Sequence, residues 1–115
     1  MTAARRGEIW LVNLGSQVPQ GHEQEGQRPA IVLQTNDLLA LTTSVVIPLT
    51  TNLKRAFPSN VLIGAGEGGQ QRDSLALCHQ IRVLDHQRLT RKIGGLPPGR
   101  MSEIEAAIAF VLGLP

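Results

Sequence analysis

Short apolar runs, separated by polar, glycine-rich and proline-rich segments, dominate this chain and predict a mainly β protein. The runs occupy residues 8–14, 29–34, 45–50, 61–63 and 74–84. Runs of this length with turn residues at both ends are typical of β-strands. In the last run Leu75, Leu77, Ile81 and Val83 recur at every second position, which predicts one long strand whose apolar face also carries His79.

One amphipathic helix is predicted near the C-terminal end. Its apolar stripe follows helical spacing and comprises Ile104, Ala107, Ile108, Val111 and Leu112. Ser102 and Glu105 match a capping box, and Gly113 and Pro115 predict where the helix ends. Five or six short strands with this helix predict a single domain over residues 1–115, built as a small, strongly bent antiparallel β barrel (mainly β, α+β).

Two glycine-containing segments invite a functional interpretation. Residues 15–27 form a loop of thirteen residues, and loops of that length are usually functional. Residues 64–69 match the spacing G-x-G-x-x-G, but a dinucleotide site requires a helix directly afterwards. Because the following segment alternates like a strand, we expect residues 64–69 to be a simple connection between strands.

Composition restricts how the chain could bind nucleic acid. It has 115 residues and a net charge of +2, and its only aromatic residues are Trp10, Phe57 and Phe110. Modules that stack single-stranded bases need aromatic platforms, so a nucleic acid would have to be held by charge and hydrogen bonds. Between residues 72 and 100 six basic residues face only two acidic ones, which indicates either a solvated basic face or a footprint for a polyanion.

Other classes of site are poorly supported. Cys78 is the only cysteine and lies in an apolar run, so we expect it to pack as a small hydrophobic residue. His22, His79 and His86 share no metal-ligand spacing, and we therefore expect neither metal nor cofactor. No signal peptide and no membrane-spanning run is evident, which favours the cytoplasm.

Arg28 and Thr50 are the most informative polar residues. Arg28 stands directly before the apolar residues 30–33, and Thr50 ends the run 45–50, so each is expected at the end of a buried strand. A guanidinium offers five donors in a planar fork that matches phosphate oxygens, and a hydroxyl adds another donor. The alternative is that Arg28 is an ordinary surface charge and Thr50 an ordinary β-branched strand residue.

Five sequence blocks in the same order resemble the MazF/PemK family of toxin ribonucleases, from about Arg6 to Leu114. The blocks are Gly7-Glu8-Ile9-Trp10, Glu23-Gln24-x-Gly26-x-Arg28-Pro29, Pro48-Leu49-Thr50, Asp73-Ser74 with Gln80-Ile81-Arg82, and Arg88-Leu89 with Lys92-Ile93-Gly94. The resemblance implies an SH3-like, PemK-type barrel that forms a homodimer and cleaves single-stranded RNA at short sequences without a metal. It also implies a cognate antitoxin protein as a partner.

The family's catalytic pair carries over to Arg28 and Thr50. Some members add an Arg-x-Asp acid–base pair, but the matching positions here are Leu77 and His79. The general base is therefore open between Glu23, on a long loop, and His79, whose ordinary pKa suits proton transfer. A solvated Glu23 and a packed His79 are the alternatives to these roles.

Further side chains are candidates for RNA binding. Gln24, Glu25 and Gln27 could contact base edges from the loop. A groove could be lined by Arg72, Ser74, Gln80 and Arg82, with Gln80 and Arg82 on the strand face opposite Leu77 and Ile81. If RNA is cut through its own 2′-OH, the products are a 2′,3′-cyclic phosphate and a 5′-OH. Two other functions stay open, a gyrase poison with the same fold and an RNA-binding barrel without catalysis.

Overall fold

A computed structural model describes residues 3–15, 26–54 and 57–115 of the chain. The described residues form seven β-strands and one α-helix, joined in places by short 3₁₀ helices. The elements are β1 (Glu8–Asn13), β2 (Gln27–Val32), β3 (Thr43–Thr50), β4 (Asn60–Ile63), β5 (Ser74–Leu77), β6 (Arg82–Asp85), β7 (Leu89–Gly95) and α1 (Pro98–Leu112). The predicted mainly β class with a C-terminal helix is confirmed.

All the strand pairings are antiparallel, and they form an open path. The order is β4-β5-β3-β2-β1-β7, and β6 pairs with the first half of β3. Within the described ranges β4 and β7 do not pair, so the predicted barrel is an open, seven-stranded sheet, with more strands than the five or six expected. The central position of β3 matters for function because it joins β2 on one side to β5 and β6 on the other.

Both faces of the central strands are buried, and alternation along each strand divides the core in two. On one face Ile9, Ile31 and Ile47 pack against Ile104 and Ile108 of α1. A second cluster includes Trp10, Val12, Ala30, Val32 and Val46. Successive side chains of a strand point to opposite faces, so these two clusters lie on opposite sides of β1, β2 and β3.

The predicted long strand over residues 74–84 is wrong. It is interrupted by a 3₁₀ helix at Cys78–Gln80, which leaves β5 and β6 as separate short strands. β5 pairs with Leu49 and Thr50 at the end of β3, whereas β6 pairs with Thr43–Val46 in its first half. The 3₁₀ helix between β5 and β6 therefore carries the chain from one end of β3 to the other. Two short strands carry the same alternating pattern as one long strand, and the sequence could not distinguish them.

The predicted helix exists, but its beginning was misplaced. α1 begins at Pro98, whose fixed φ suits the first turn, and Pro97 is the N-cap residue. Ser102 therefore lies inside the helix, where its hydroxyl donates to the Pro98 carbonyl at 3.2 Å, and the capping box is wrong. Gly113 ends the helix with φ 68°, as predicted, and Leu112 is 54% exposed instead of packing on the sheet.

No helix in the described part of the chain is both long and apolar enough to cross a membrane. The 3₁₀ helix at Glu67–Gly69 is separated from β5 by residues 70–73, which form neither helix nor strand. Residues 64–69 therefore connect β4 to β5 and open no long helix, as their sequence context predicted.

Candidate functional site

Strand register brings Arg28 and Thr50 together. β2 and β3 pair as Ala30↔Pro48, Ile31↔Ile47 and Val32↔Val46, and extending this register by two residues sets Arg28 opposite Thr50. Opposed residues of antiparallel strands project from the same face. Regular pairing stops at Ala30 because the next residue, Pro29, has no N–H to donate. The two strands thus present their polar ends side by side.

Arg28 and Thr50 line the same small cavity. Its volume is about 40 Å³, enough for roughly three water molecules, and its walls are Arg28, Pro29, Leu49, Thr50, Thr51, Gln70 and Ser74. Thr50 is only 8% exposed, and its Oγ1 accepts a hydrogen bond from the Asn52 N–H at 3.1 Å. Because that bond uses a lone pair, the Thr50 hydroxyl proton remains available as a donor to a ligand oxygen.

Ser74 adds a second hydroxyl to this cavity. It is 1% exposed, and its Oγ has no hydrogen-bond partner in the described part of the chain. A hydroxyl without a partner among the described residues can donate to a molecule that enters the cavity. The sequence placed Ser74 in an RNA groove; the structure places it beside Thr50. Gln70, which also lines the cavity, was not identified because nothing in its sequence context distinguishes it from a loop residue.

A larger cavity adjoins the first. Its volume is about 430 Å³, and its walls are Thr51, Gly69, Gln70, Gln71, Arg72, Arg91 and Ile93. Thr51 and Gln70 belong to both cavities, so the two are neighbours. Arg72 is one of the residues predicted to bind RNA, whereas Arg91, one of the six basic residues between 72 and 100, is not. Its place on β7, opposite Leu11 of β1, brings it to a site built mainly by other strands.

Glycines hold the 64–69 connection tightly against β7. A Cβ on Gly94 would overlap the backbone of Gly68, and a Cβ on Gly69 would overlap the Ile93 carbonyl. Gly68 and Gly69 also have positive φ values of 59° and 79°, which side chains disfavour. Close backbone packing between two segments therefore explains Gly69, the last glycine of the G-x-G-x-x-G pattern, and the neighbouring Gly68.

An ion-pair network fixes the other end of this connection. Glu67 accepts hydrogen bonds from the Arg100 guanidinium, at 2.9 Å for Nε–Oε2, and from the Gly64 N–H at 2.7 Å. Arg100 also pairs with Glu103 on α1 at 2.9 Å. The hydrogen bonds from Arg100 lower the pKa of Glu67, so the carboxylate stays ionised and the connection stays tied to the helix.

His79 does not join the cavity. It is exposed on the 3₁₀ helix that interrupts the predicted strand, and it is absent from the cavity walls. Its ring meets Phe57 edge-on with centroids 5.5 Å apart, and its Nδ1 shares a hydrogen bond with the Ser59 hydroxyl at 3.3 Å. The preceding Cys78 is fully buried, and burial raises the pKa of its thiol to about 11. The expectation that Cys78 packs as a hydrophobic residue is confirmed.

The other sequence-predicted residues are scattered. Gln80 ends the 3₁₀ helix, and Arg82 is the first residue of β6. The prediction that the two share one face of a single strand is therefore wrong. Gln27 is exposed at the first position of β2, next to Arg28. Glu23, Gln24 and Glu25 lie outside the described residues.

Among residues 3–15, 26–54 and 57–115, no group of three or more His, Cys, Asp or Glu side chains is placed to hold a metal ion. The site is thus built from neutral donors and arginines. Such a set suits an anion.

Comparison with known proteins gives a consistent result. The family model described as "PemK-like, MazF-like toxin of type II toxin-antitoxin system" matches residues 5–112. The chain is 37% identical to endoribonuclease EndoA of Bacillus subtilis, covering 96% of this chain and 95% of that one. It is 34% identical to endoribonuclease MazF9 of Mycobacterium tuberculosis, covering 96% and 97%.

Solved structures agree with this fold. The MazF crystal structure from Deinococcus radiodurans superposes with a TM-score of 0.84 at 24% identity, covering 99% of this chain and all of that one. A mycobacterial endoribonuclease in complex with its cognate antitoxin superposes with a TM-score of 0.80 at 25% identity, covering 98% of each chain. The family match spans nearly the whole sequence and agrees with the open, seven-stranded sheet and its terminal helix. The chain therefore belongs to the PemK-like, MazF-like toxins of type II toxin–antitoxin systems.

Proposed function

We propose that this chain is an endoribonuclease that cleaves single-stranded RNA at short sequence motifs. Its relatives EndoA and MazF9 are both named endoribonucleases and match it over nearly their full length. The observation that carries the proposal is the small cavity whose walls include Arg28 together with the buried residues Thr50 and Ser74. This set of donors fits the non-bridging oxygens of a phosphodiester.

The proposed reaction uses the nucleophile that RNA already contains. The 2′ oxygen attacks the adjacent phosphorus, and the bond from phosphorus to the 5′ oxygen of the next nucleotide breaks. The 2′ proton passes to a base, and the departing 5′ oxygen takes up a proton. The products are a 2′,3′-cyclic phosphate and a 5′-OH. Neither a metal nor a cofactor takes part in these steps.

Arg28 stabilises the charge that builds up on the phosphate oxygens during attack. The planar fork of an arginine guanidinium can donate two parallel hydrogen bonds to phosphate. Donors placed where charge develops contribute more in the transition state than in the ground state, which accelerates the reaction. Arg28 can also deliver a proton through a water molecule to the leaving 5′ oxygen.

Thr50 and Ser74 complete the phosphate site. The Asn52 N–H already occupies a lone pair of the Thr50 hydroxyl, which orients its proton away from Asn52. The buried Ser74 hydroxyl, which has no partner among the described residues, would donate a hydrogen bond when phosphate enters. Both residues sit on paired strands, Thr50 opposite Leu75, and are therefore held before substrate binds.

The proton acceptor is proposed to be a group other than His79, because that ring lies outside the cavity walls and packs against Phe57. Glu23 is then the remaining candidate of the two that the sequence left open for this role. Gln24, Gln27 and Arg72 are proposed to bind the RNA strand on either side of the cleaved linkage, and Gln80 and Arg82 to contact it farther away.

A protein partner follows from the family. The mycobacterial structure contains an endoribonuclease with its cognate antitoxin, and we propose that an antitoxin likewise neutralises this chain. We also propose that the active form is a homodimer working in the cytoplasm, where its RNA substrate is found.

The deciding experiment compares Arg28→Ala and Arg28→Lys with the parent on a single-stranded RNA whose cleavage site has been mapped. We expect kcat to fall at least about 10²-fold for Arg28→Ala, and Arg28→Lys to recover little because it lacks the planar fork. Arg5→Ala, which removes an exposed arginine outside both cavities, is the matched control and should retain full activity. A chelator should not reduce cleavage by the parent, and the 3′ ends should carry cyclic phosphate.

Other outcomes would point elsewhere. A folded Arg28→Ala protein that cleaves at the parental rate removes Arg28 from the mechanism. RNA binding by the parent without any cleavage favours an RNA-binding module, and inhibition of DNA supercoiling without RNA cleavage favours a gyrase poison.

A further inference from the structure

We propose that the larger cavity is a second phosphate subsite, in which Arg72 and Arg91 bind the phosphate next to the scissile one on the same RNA strand. This inference rests on the proposed function, because it requires RNA to occupy the Arg28 cavity. It assigns a role to Arg91, which neither its sequence context nor its position on β7 had suggested. Its first support is the uncompensated charge in this cavity.

Arg72 and Arg91 differ from the paired cations elsewhere in the molecule. Lys92 lies 3.0 Å from Glu8, and Arg100 lies 2.9 Å from Glu67. Across the described ranges, neither Arg72 nor Arg91 has a carboxylate within salt-bridge distance. Two uncompensated guanidinium groups on one cavity create a positive potential that an anion can neutralise.

The position of the cavity relates it to the cleavage site. Thr51 and Gln70 form part of both walls, so a ligand in one cavity borders a ligand in the other. Every nucleotide of an RNA strand brings one phosphate. A strand that places its scissile phosphate at Arg28 and Thr50 therefore carries a neighbouring phosphate past Thr51 and Gln70.

The cavity is also held together by backbone packing, although its two arginines are far apart in the sequence. Gly69 and Ile93, which line it, belong to the two segments whose glycines allow direct backbone contact. The salt bridge from Glu67 to Arg100 ties the same connection to α1. Arg72 and Arg91 are therefore carried by segments whose separation is fixed.

The chemistry of the walls favours phosphate over a base. None of the described residues that line the cavity carries an aromatic ring on which a base could stack, and Ile93 is the one large apolar side chain among them. Its other side chains are arginines, glutamines and a threonine, all of which donate hydrogen bonds. Sugar–phosphate backbone contacts of this kind position a strand without reading its sequence.

The test measures binding and cleavage separately on Arg72→Ala, Arg91→Ala and the double variant, with Arg5→Ala as the matched control. Binding uses an RNA oligonucleotide with a 2′-deoxy nucleotide at the mapped cleavage position, which removes the nucleophile. For a single strand the logarithm of affinity changes with the logarithm of salt concentration by about −0.7 per phosphate contacted. We expect the double variant to lose about 0.7 of that slope and Arg5→Ala to lose none.

Cleavage of the corresponding all-RNA strand should show a lower kcat/KM for the double variant with kcat at saturation unchanged, because the subsite binds and does not react. Shortening the substrate by the nucleotide that supplies the second phosphate should lower kcat/KM for the parent and leave kcat/KM of the double variant unchanged. An unchanged salt slope in the folded double variant overturns the subsite while leaving the ribonuclease intact. A parent that binds the oligonucleotide with the expected slope but cuts no RNA overturns the proposed function instead.

Discussion

The Arg28–Thr50 cavity and the His79 region make an instructive contrast. In both, a polar side chain lies within or at the end of an apolar run, and both were candidates for catalysis from sequence. The structure brings Arg28 and Thr50 to one cavity with Ser74, whereas His79 lies on a 3₁₀ helix beside Phe57 and Ser59. The first region offers donors to an anion, whereas the His79 ring contacts Phe57 and shares a hydrogen bond with Ser59.

Pairing explains the difference. Arg28 and Thr50 lie at the ends of two strands that are direct neighbours, so their proximity depends only on the β2–β3 register. His79 would have reached the same surface only if residues 74–84 had continued as one strand. The turn at Cys78–Gln80 instead moves β6 to the far part of β3. A polar residue in an apolar run is thus a useful signal only where the pairing of its strand is also known.

The sharpest test of the cavity itself is Thr50→Val, which keeps the shape of the side chain and removes its hydroxyl. We expect kcat for RNA cleavage to fall about 10²-fold, because a donor aimed at the developing charge is lost. Thr42→Val makes the same change at an exposed threonine outside the cavity and should leave kcat unchanged. Equal activity of the two variants, both with parental thermal unfolding, would remove the Thr50 hydroxyl from the proposed site.

Two buried serines allow a finer test of whether the cavity is adapted to a ligand. Ser74 has no partner in the described structure, whereas Ser44 shares a 2.9 Å hydrogen bond with buried His86. Ser74→Ala should therefore preserve the free energy of unfolding while reducing kcat/KM about fivefold, the value of one hydrogen bond of about 1 kcal/mol. Ser44→Ala should do the reverse, costing about 1–3 kcal/mol of stability with little change in activity per folded molecule. Chemical denaturation and initial rates on both variants provide the comparison.

If Ser74→Ala instead destabilises the protein and leaves kcat/KM at the parental value, Ser74 is a packing residue. The proposed phosphate site would then consist of Arg28 and Thr50 without Ser74. That outcome would not affect Arg28 and Thr50, since their proximity rests on the strand register alone.

The sequence predicted the fold class, the C-terminal helix and the Arg28–Thr50 pair because each depends on local patterns or on a familiar order of motifs. It misplaced the start of α1, since Ser102 and Glu105 have capping-box spacing although Pro98 already begins the helix. It missed Gln70 and Arg91 because their proximity to the cavities arises from the approach of the 64–69 connection to β7. That approach depends on glycines in two segments far apart in the sequence, so the spacing of residues within either segment could not predict it.

The smallest expected effect belongs to His79→Ala. Because the ring lies outside both cavities, we expect kcat/KM within about twofold of the parent and a pH–rate profile with both limbs in place. A modest loss of stability is expected from the broken contacts with Phe57 and Ser59, so thermal unfolding is measured beside the rates. A fall of about 10²-fold in kcat, together with loss of the acidic limb of the profile, would show that His79 accepts the 2′ proton. Substrate would then have to extend from the Arg28 cavity to the 3₁₀ helix, and the contrast between the two regions would no longer hold.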